Sequence, residues 1–97
     1  MRAYISGAIT NNPNFEKEFE KAKHELIKQG YEVINPAALN HVMPNDATHN
    51  EYMKICLRLL YMADKIVMLK GWKKSKGACI EYQFAKSNGI IVEEREE

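Results

Sequence analysis

Lys65-Ile66-Val67-Met68-Leu69 is followed by the loop Lys70-Gly71-Trp72-Lys73-Lys74-Ser75. A segment from Lys76 to Asn88-Gly89 comes next, and then Ile90-Ile91-Val92. The two apolar runs are short, β-branched and bounded by Gly, which is how a strand buried on both faces reads. The segment between them has helical length, with Ser75 at its start and Asn88-Gly89 where a left-handed stop is needed. Strand, helix, strand joined by short links predicts a parallel pair with a right-handed crossover.

The same unit repeats upstream. Arg2-Ala3-Tyr4-Ile5-Ser6 reads as a strand ending at Gly7. Asn12-Pro13 looks like a helix cap with Pro at the first helical position. Phe15, Phe19, Ala22 and Leu26 then recur at helical spacing, and Gly30 sits at the stop. Tyr31-Glu32-Val33-Ile34 is a second strand, ended by Asn35-Pro36. A polar connection over 37–47 leads to a helix over about 48–62. One face of that helix carries Tyr52, Ile55, Cys56, Leu59 and Leu60, and a second stripe carries Met53, Leu57 and Tyr61. A helix apolar on two sides is either deeply buried or part of a subunit interface.

The resulting order, β-α-β-α-β-α-β, predicts an α/β protein: a three-layer sandwich, flavodoxin-like or Rossmann-like, around a parallel sheet of four or at most five strands. One domain is expected over residues 1–97. In an open sheet of this kind a ligand sits beyond the carboxyl ends of the strands. Here that means the loops Ser6–Asn12 and Lys70–Ser75.

Composition excludes several classes. With 45% hydrophobic and 28% charged residues, the chain resembles neither a disordered nor a collagen-like sequence. No apolar run approaches the ~20 residues of a membrane span, so no membrane role is expected. The start, Met1-Arg2-Ala3-Tyr4, lacks a signal-peptide layout, and a cytoplasmic location is expected. The net charge is +1, and setting aside the four acids and one base of Glu93–Glu97 leaves +4 on residues 1–92. That suits a small anionic ligand and falls far short of a nucleic-acid-binding stripe; Lys73, Lys74 and Lys76 alone make too small a patch. Cys56 and Cys79 lack CxxC spacing, and His24, His41 and His49 lie far apart, so no metal site and no cofactor are expected.

Glu81 is the residue most in need of explanation. Gly77, Glu81 and Ala85 share one helical row, with Ala78 adjacent. A carboxylate on a row of small residues lies close to the sheet, where Glu is seldom found without a partner or a task. It either snorkels to solvent or pairs with a Lys, or it does chemistry. Ser75 and Gly77 bring free backbone N–H groups to the helix start, where an anion is favoured. Ser6-Gly7-Ala8 is either a phosphate cradle or a simple strand exit. Trp72 either stacks on a base or packs the rim, and Tyr4 either orients a carboxylate or fills the core.

Five stretches occur in order: Tyr4-Ile5-Ser6-Gly7-Ala8-Ile9-Thr10, Val33-Ile34-Asn35-Pro36-Ala37, Ala63-Asp64, Gly71-Trp72 and Ser75-Lys76-Gly77-Ala78-Cys79-Ile80-Glu81. Together they resemble the nucleoside 2-deoxyribosyltransferase superfamily, above all its small bacterial and phage branch and the related 2-deoxynucleoside 5-monophosphate N-hydrolases. The resemblance spans about residues 2–92. It implies a flavodoxin-like fold, a nucleoside or nucleotide ligand, and N-glycosidase or deoxyribosyltransferase activity. Glu81 matches the family nucleophile that attacks the anomeric carbon. Tyr4 matches the residue that positions it, and Ser6, Gly7, Ala8 and Ile9 match the turn near sugar or phosphate. Asn35, Trp72 and Gly77 fall in stretches assigned to substrate binding. Ser75 stands where nucleoside-specific transferases often carry Asp, as it does in the monophosphate-preferring hydrolases.

Two departures accompany the likeness. The family's proton-donating Asp lies eight residues before the Ala-Asp pair, and that position is Cys56, a poor acid for a leaving base. Asp46, Glu51 and His49 are the alternatives nearby. The C-terminal extension with which larger members reach a neighbour's site is not matched. The alternative reading is therefore a non-catalytic or single-turnover binder that sequesters a nucleotide-derived signal. A homodimer or larger homo-oligomer is expected from the two-sided apolar helix.

Overall fold

The computed structural model describes residues 1–96. Four strands, β1 (Arg2–Ser6), β2 (Glu32–Ile34), β3 (Lys65–Met68) and β4 (Ile91–Glu94), form one all-parallel sheet in the order β2-β1-β3-β4. Three helices alternate with them: α1 (Phe15–Lys28), α2 (His49–Tyr61) and α3 (Lys76–Ser87). The expected α/β alternation and the flavodoxin-like sheet are both present.

Strand periodicity divides the core in two. Ala3 and Ile5 of β1, with Val67 of β3, face α1 and pack on its Phe19, Ala22 and Leu26. Tyr4, Ile66 and Met68 point the other way, onto Cys56 and Leu60 of α2 and Ala78 and Ala85 of α3. One helix therefore covers one face and two cover the other, as right-handed crossovers from this strand order require. Connection direction reverses between β1, which leads outward to β2, and β3, which leads to β4. The ends of β1 and β3 are thus the topological switch point. Their register, Tyr4 beside Ile66 and Ser6 beside Met68, brings both strands to an end at the same level.

Local chemistry explains most boundaries. Thr48 and Glu51 cap each other at the start of α2: Glu51 N donates to Thr48 Oγ1 at 3.1 Å, and Thr48 N donates to Glu51 Oε1 at 2.8 Å. Ser75 Oγ accepts from Ala78 N at 3.2 Å and caps α3. Gly30 takes φ +94° just past α1, the left-handed stop expected of it.

Four expectations need correction. First, α1 begins at Phe15, so Pro13 is not its first helical residue. Asn12 instead braces the preceding loop, its Nδ2 donating to Ala8 O at 2.9 Å and to Glu18 Oε1 at 2.8 Å. Second, the connection expected only as a polar link over 37–47 contains a regular element, since Pro36–His41 form a 3-10 helix. Third, the two stripes of α2 do not divide as periodicity suggested. Met53 is buried against α3, whereas Ile55 and Tyr61 of the expected apolar faces are exposed. Fourth, Glu93 and Glu94 belong to β4, and Glu93 pairs with Lys65 of β3 at 2.6 Å. Glu97 of the expected tail lies outside the described residues. No helix among those residues is long and apolar enough to cross a membrane.

Candidate active site

A cleft of about 1120 Å³ opens at the switch point, just above the roughly 300–1,000 Å³ typical of small-molecule sites. Its floor is the end of β1 and the inner face of α3. One wall is the turn Gly7–Asn12 with Glu18 and Phe19 of α1. The opposite wall is built from Pro36, Asn40 and Met43–Asn45 and from Thr48, His49, Tyr52 and Met53 at the start of α2. Lys70, Gly71, Lys74, Ser75 and Lys76 close the rim.

Glu81 is only 6% exposed, yet it lines the cleft. Both of its carboxylate oxygens are engaged. The Tyr4 hydroxyl donates to Oε2, and the Ser6 hydroxyl donates to Oε1 at 2.6 Å. Tyr4 and Ser6 are two apart on β1, so both point to the face on which α3 lies. Burial lifts the Glu81 carboxyl to about 7, against the opposing pull of the Ser6 and Tyr4 hydrogen bonds. Burial and the adjacent Glu81 charge likewise hold the Tyr4 phenol far above its ordinary range, so it stays protonated and donates. The result is a carboxylate without a cation, oriented by two neutral donors and open to a ligand on one side. The Lys-paired alternative is not what the fold builds.

Two glycines are explained by close approach. A Cβ on Gly7 would sit 3.2 Å from Leu69 Cβ and 3.4 Å from Phe19 Cε1, so a side chain there would require Leu69 and Phe19 to give by a few tenths of an ångström. A Cβ on Gly77 would sit 3.2 Å from Met53 Sδ and 3.6 Å from His49 Cε1, narrowing the cleft one turn from Glu81.

The expected site residues divide into two groups. Ser6, Gly7, Ala8, Ile9, Ser75, Gly77 and Glu81 all line the cleft, and Tyr4 lies directly behind Glu81. Three others do not meet expectation. Trp72 lies in a short 3-10 turn before α3, is 8% exposed, and stacks on Tyr82 with ring centroids 4.7 Å apart. It packs the far side of α3 and is not among the cleft residues. Asn35 spends its side chain on the 3-10 helix, its Oδ1 accepting from Ala37 N at 3.1 Å, and also lies off the cleft. Cys56 is 1% exposed in the core near Tyr4 and does not line the cleft. Burial and the Glu81 charge push its thiol up to about 11. Asp64 sits at the other end of β3, accepting from Arg2 N at 2.8 Å to pin the start of β1.

Of the wall from Pro36 to Met53, the sequence singles out only His49, as one of three alternatives to Cys56, and does not show that these segments form one wall. Tyr52 donates from its hydroxyl to Pro36 O at 3.1 Å, tying α2 to the 3-10 helix across that wall. No group of three or more His, Cys, Asp or Glu that could hold a metal ion occurs among the described residues.

A family profile described as "Domain of unknown function (DUF4406)" matches residues 1–94. The chain belongs to the DUF4406 family. A solved structure of a 2-deoxyribosyltransferase from the psychrotolerant bacterium Bacillus psychrosaccharolyticus is similar, with a TM-score of 0.78 and 17% sequence identity. The match covers 97% of this DUF4406 chain and 71% of that protein. At that identity the likeness shows a shared fold. No curated protein matches the chain.

Proposed function

We propose that the protein binds a nucleoside or nucleotide in the switch-point cleft and acts on its N-glycosidic bond, by hydrolysis or by deoxyribosyl transfer. One observation carries this reading: a buried carboxylate at the cleft floor, each oxygen held by a neutral hydroxyl donor, in the fold of a 2-deoxyribosyltransferase. A carboxylate without a cation is a nucleophile or a stabiliser of positive charge, and a carbon developing oxocarbenium character is what it suits. Glu81 attacks the anomeric carbon, the base leaves, and water or a second base resolves the glycosyl ester. Tyr4 and Ser6 hold the carboxylate in line and leave its charge uncancelled.

The rim favours a 5′-phosphorylated ligand. Lys74 and Lys76 flank Ser75 at the start of α3, where backbone N–H groups and a hydroxyl face an anion. A homo-oligomer belongs to the same reading, because Ile55, Tyr61 and Met62 of the α2 region are exposed. Light scattering that finds a monomer at micromolar concentration removes that part alone.

The second reading, a binder without turnover, is favoured by Cys56, a neutral buried thiol in place of a proton donor. Mass spectrometry of protein and solution after incubation with a panel of deoxynucleoside monophosphates separates the two. Free base supports the enzyme, a lasting adduct on Glu81 supports single turnover, and unchanged bound ligand supports the binder. No binding of any member sinks both.

A further inference from the structure

Breaking an N-glycosidic bond strands negative charge on the departing base, which leaves slowly unless a proton arrives. Cys56 is enclosed away from the cleft and cannot deliver one there. Of the other titratable groups around the start of α2, Glu51 is consumed by the capping box with Thr48. Neither Glu51 nor Asp46 lines the cleft. Tyr52 does, but its hydroxyl is committed to Pro36 O and burial raises its pKa strongly.

His49 remains. It is the first residue of α2, it lines the cleft, and its ring carbon Cε1 lies 3.6 Å from where a Cβ on Gly77 would be. Gly77 is one turn before Glu81 on the same row of α3, and its missing side chain leaves the space between imidazole and helix open. The charged and titratable groups facing this space are Glu18 from α1, Lys70 and Lys74 from the loop after β3, Lys76 and Glu81 from α3, and Tyr52 on α2. Among these side-chain types only imidazole ordinarily both holds and releases a proton around neutral pH.

We propose that His49 is the general acid that protonates the departing base, and the general base for the water that follows. The assignment rests on the reading of Glu81 as nucleophile. In the first half, the C1′–N bond breaks and its electron pair takes the imidazolium proton, while a Glu81 oxygen bonds to C1′. In the second half, a water oxygen bonds to C1′, the ester releases Glu81 as carboxylate, and the water proton returns to the neutral imidazole. One water is consumed, base and sugar are released, and both side chains end as they began.

The test compares two leaving groups on the full chain: a purine 2′-deoxynucleoside 5′-monophosphate, and 4-nitrophenyl 2-deoxyribofuranoside 5-phosphate, whose phenolate departs without a proton. His49 is exposed, so His49→Gln should keep the unfolding midpoint of the unmutated protein. Its first-turnover rate on the purine substrate should fall ~10²-fold or more, the scale of general acid catalysis. The first-turnover burst of nitrophenolate should change less than about threefold, because that step needs no proton transfer, while steady-state release slows with the loss of the general base. Glu81→Gln should abolish both. Equal losses of the first-turnover rate on both substrates, or a raised KM for phosphorylated ligands with kcat intact, would make His49 a positioning or phosphate-binding residue and overturn the assignment. If the unmutated protein releases nitrophenolate but no purine, His49 is no acid and the Glu81 reading stands. If it releases neither, the Glu81 reading fails and the assignment falls with it.

Discussion

Glu81→Gln should make this protein more stable while removing the proposed nucleophile. Burial moves the Glu81 carboxyl from 4.5 to about 7 even with two hydroxyls donating to it, so the folded state holds that proton more tightly than the unfolded chain. A group whose pKa rises on folding contributes most below its unfolded value, and that contribution disappears as pH climbs through the folded value. At 1.36 kcal/mol per pH unit, the ionised carboxylate costs the fold about 3 kcal/mol above pH 7. Glutamine has the same shape and no charge, and its amide exchanges hydrogen bonds with hydroxyls that can rotate. An imperfect fit of the amide nitrogen costs about 1 kcal/mol. The net gain at pH 8 should be about 1–3 kcal/mol, or roughly 5–15 °C in Tm for a domain of this size. Thermal unfolding followed by circular dichroism from pH 4 to 8.5 checks it. Near pH 4 the variant should be less stable by about 1 kcal/mol, the amide cost alone; the difference should then shift in its favour between about 4.5 and 7 and run parallel above. A difference that does not vary with pH, or a less stable variant at pH 8, would refute the picture of a desolvated, uncompensated carboxylate.

Three further perturbations address the remaining parts of the site. Tyr4→Phe removes a hydrogen bond that lowers the Glu81 pKa, so the acid limb of the pH-rate profile should move above about 7 and the rate at pH 7 should fall about tenfold or more; steady-state kinetics across pH reads both. Trp72→Ala should cost about 3–5 kcal/mol by urea denaturation, as for other buried aromatics, and leave ligand affinity intact because the ring packs on Tyr82 and away from the cleft. Lys74→Ala combined with Ser75→Gly should weaken a deoxynucleoside monophosphate by roughly tenfold by calorimetry, the scale of a lost charge-assisted contact, while the parent nucleoside changes little.

Much of the architecture is written locally. Short β-branched runs of period two, helical rows at period 3.6 and punctuation such as Gly30 and the Ser75 cap are each resolved within a dozen residues. Alternation of these elements then leaves few topologies, because crossovers are right-handed, and the position of the cleft follows from the reversal between β1 and β3. The row Gly77-Glu81-Ala85 already showed that one carboxylate would lie against the sheet. Tertiary structure alone decided what meets it. Tyr4 and Ser6 lie 77 and 75 residues from Glu81 along the chain, and only the β1–β3 register and the seating of α3 bring their hydroxyls to its two oxygens. The same holds for the misread residues. Periodicity says which face a side chain shares, and says nothing about what covers that face. Trp72 therefore reads as a substrate-binding residue although Tyr82 draws it into the core, and the depth of Cys56 is not legible in the sequence. The sequence offers His49 only as one of three alternative donors and does not show the wall it shares with Tyr52, because a 3-10 turn and a helix start carry no period of their own. A carboxyl pushed to about 7 is a property of enclosure, and enclosure exists only once distant segments have packed.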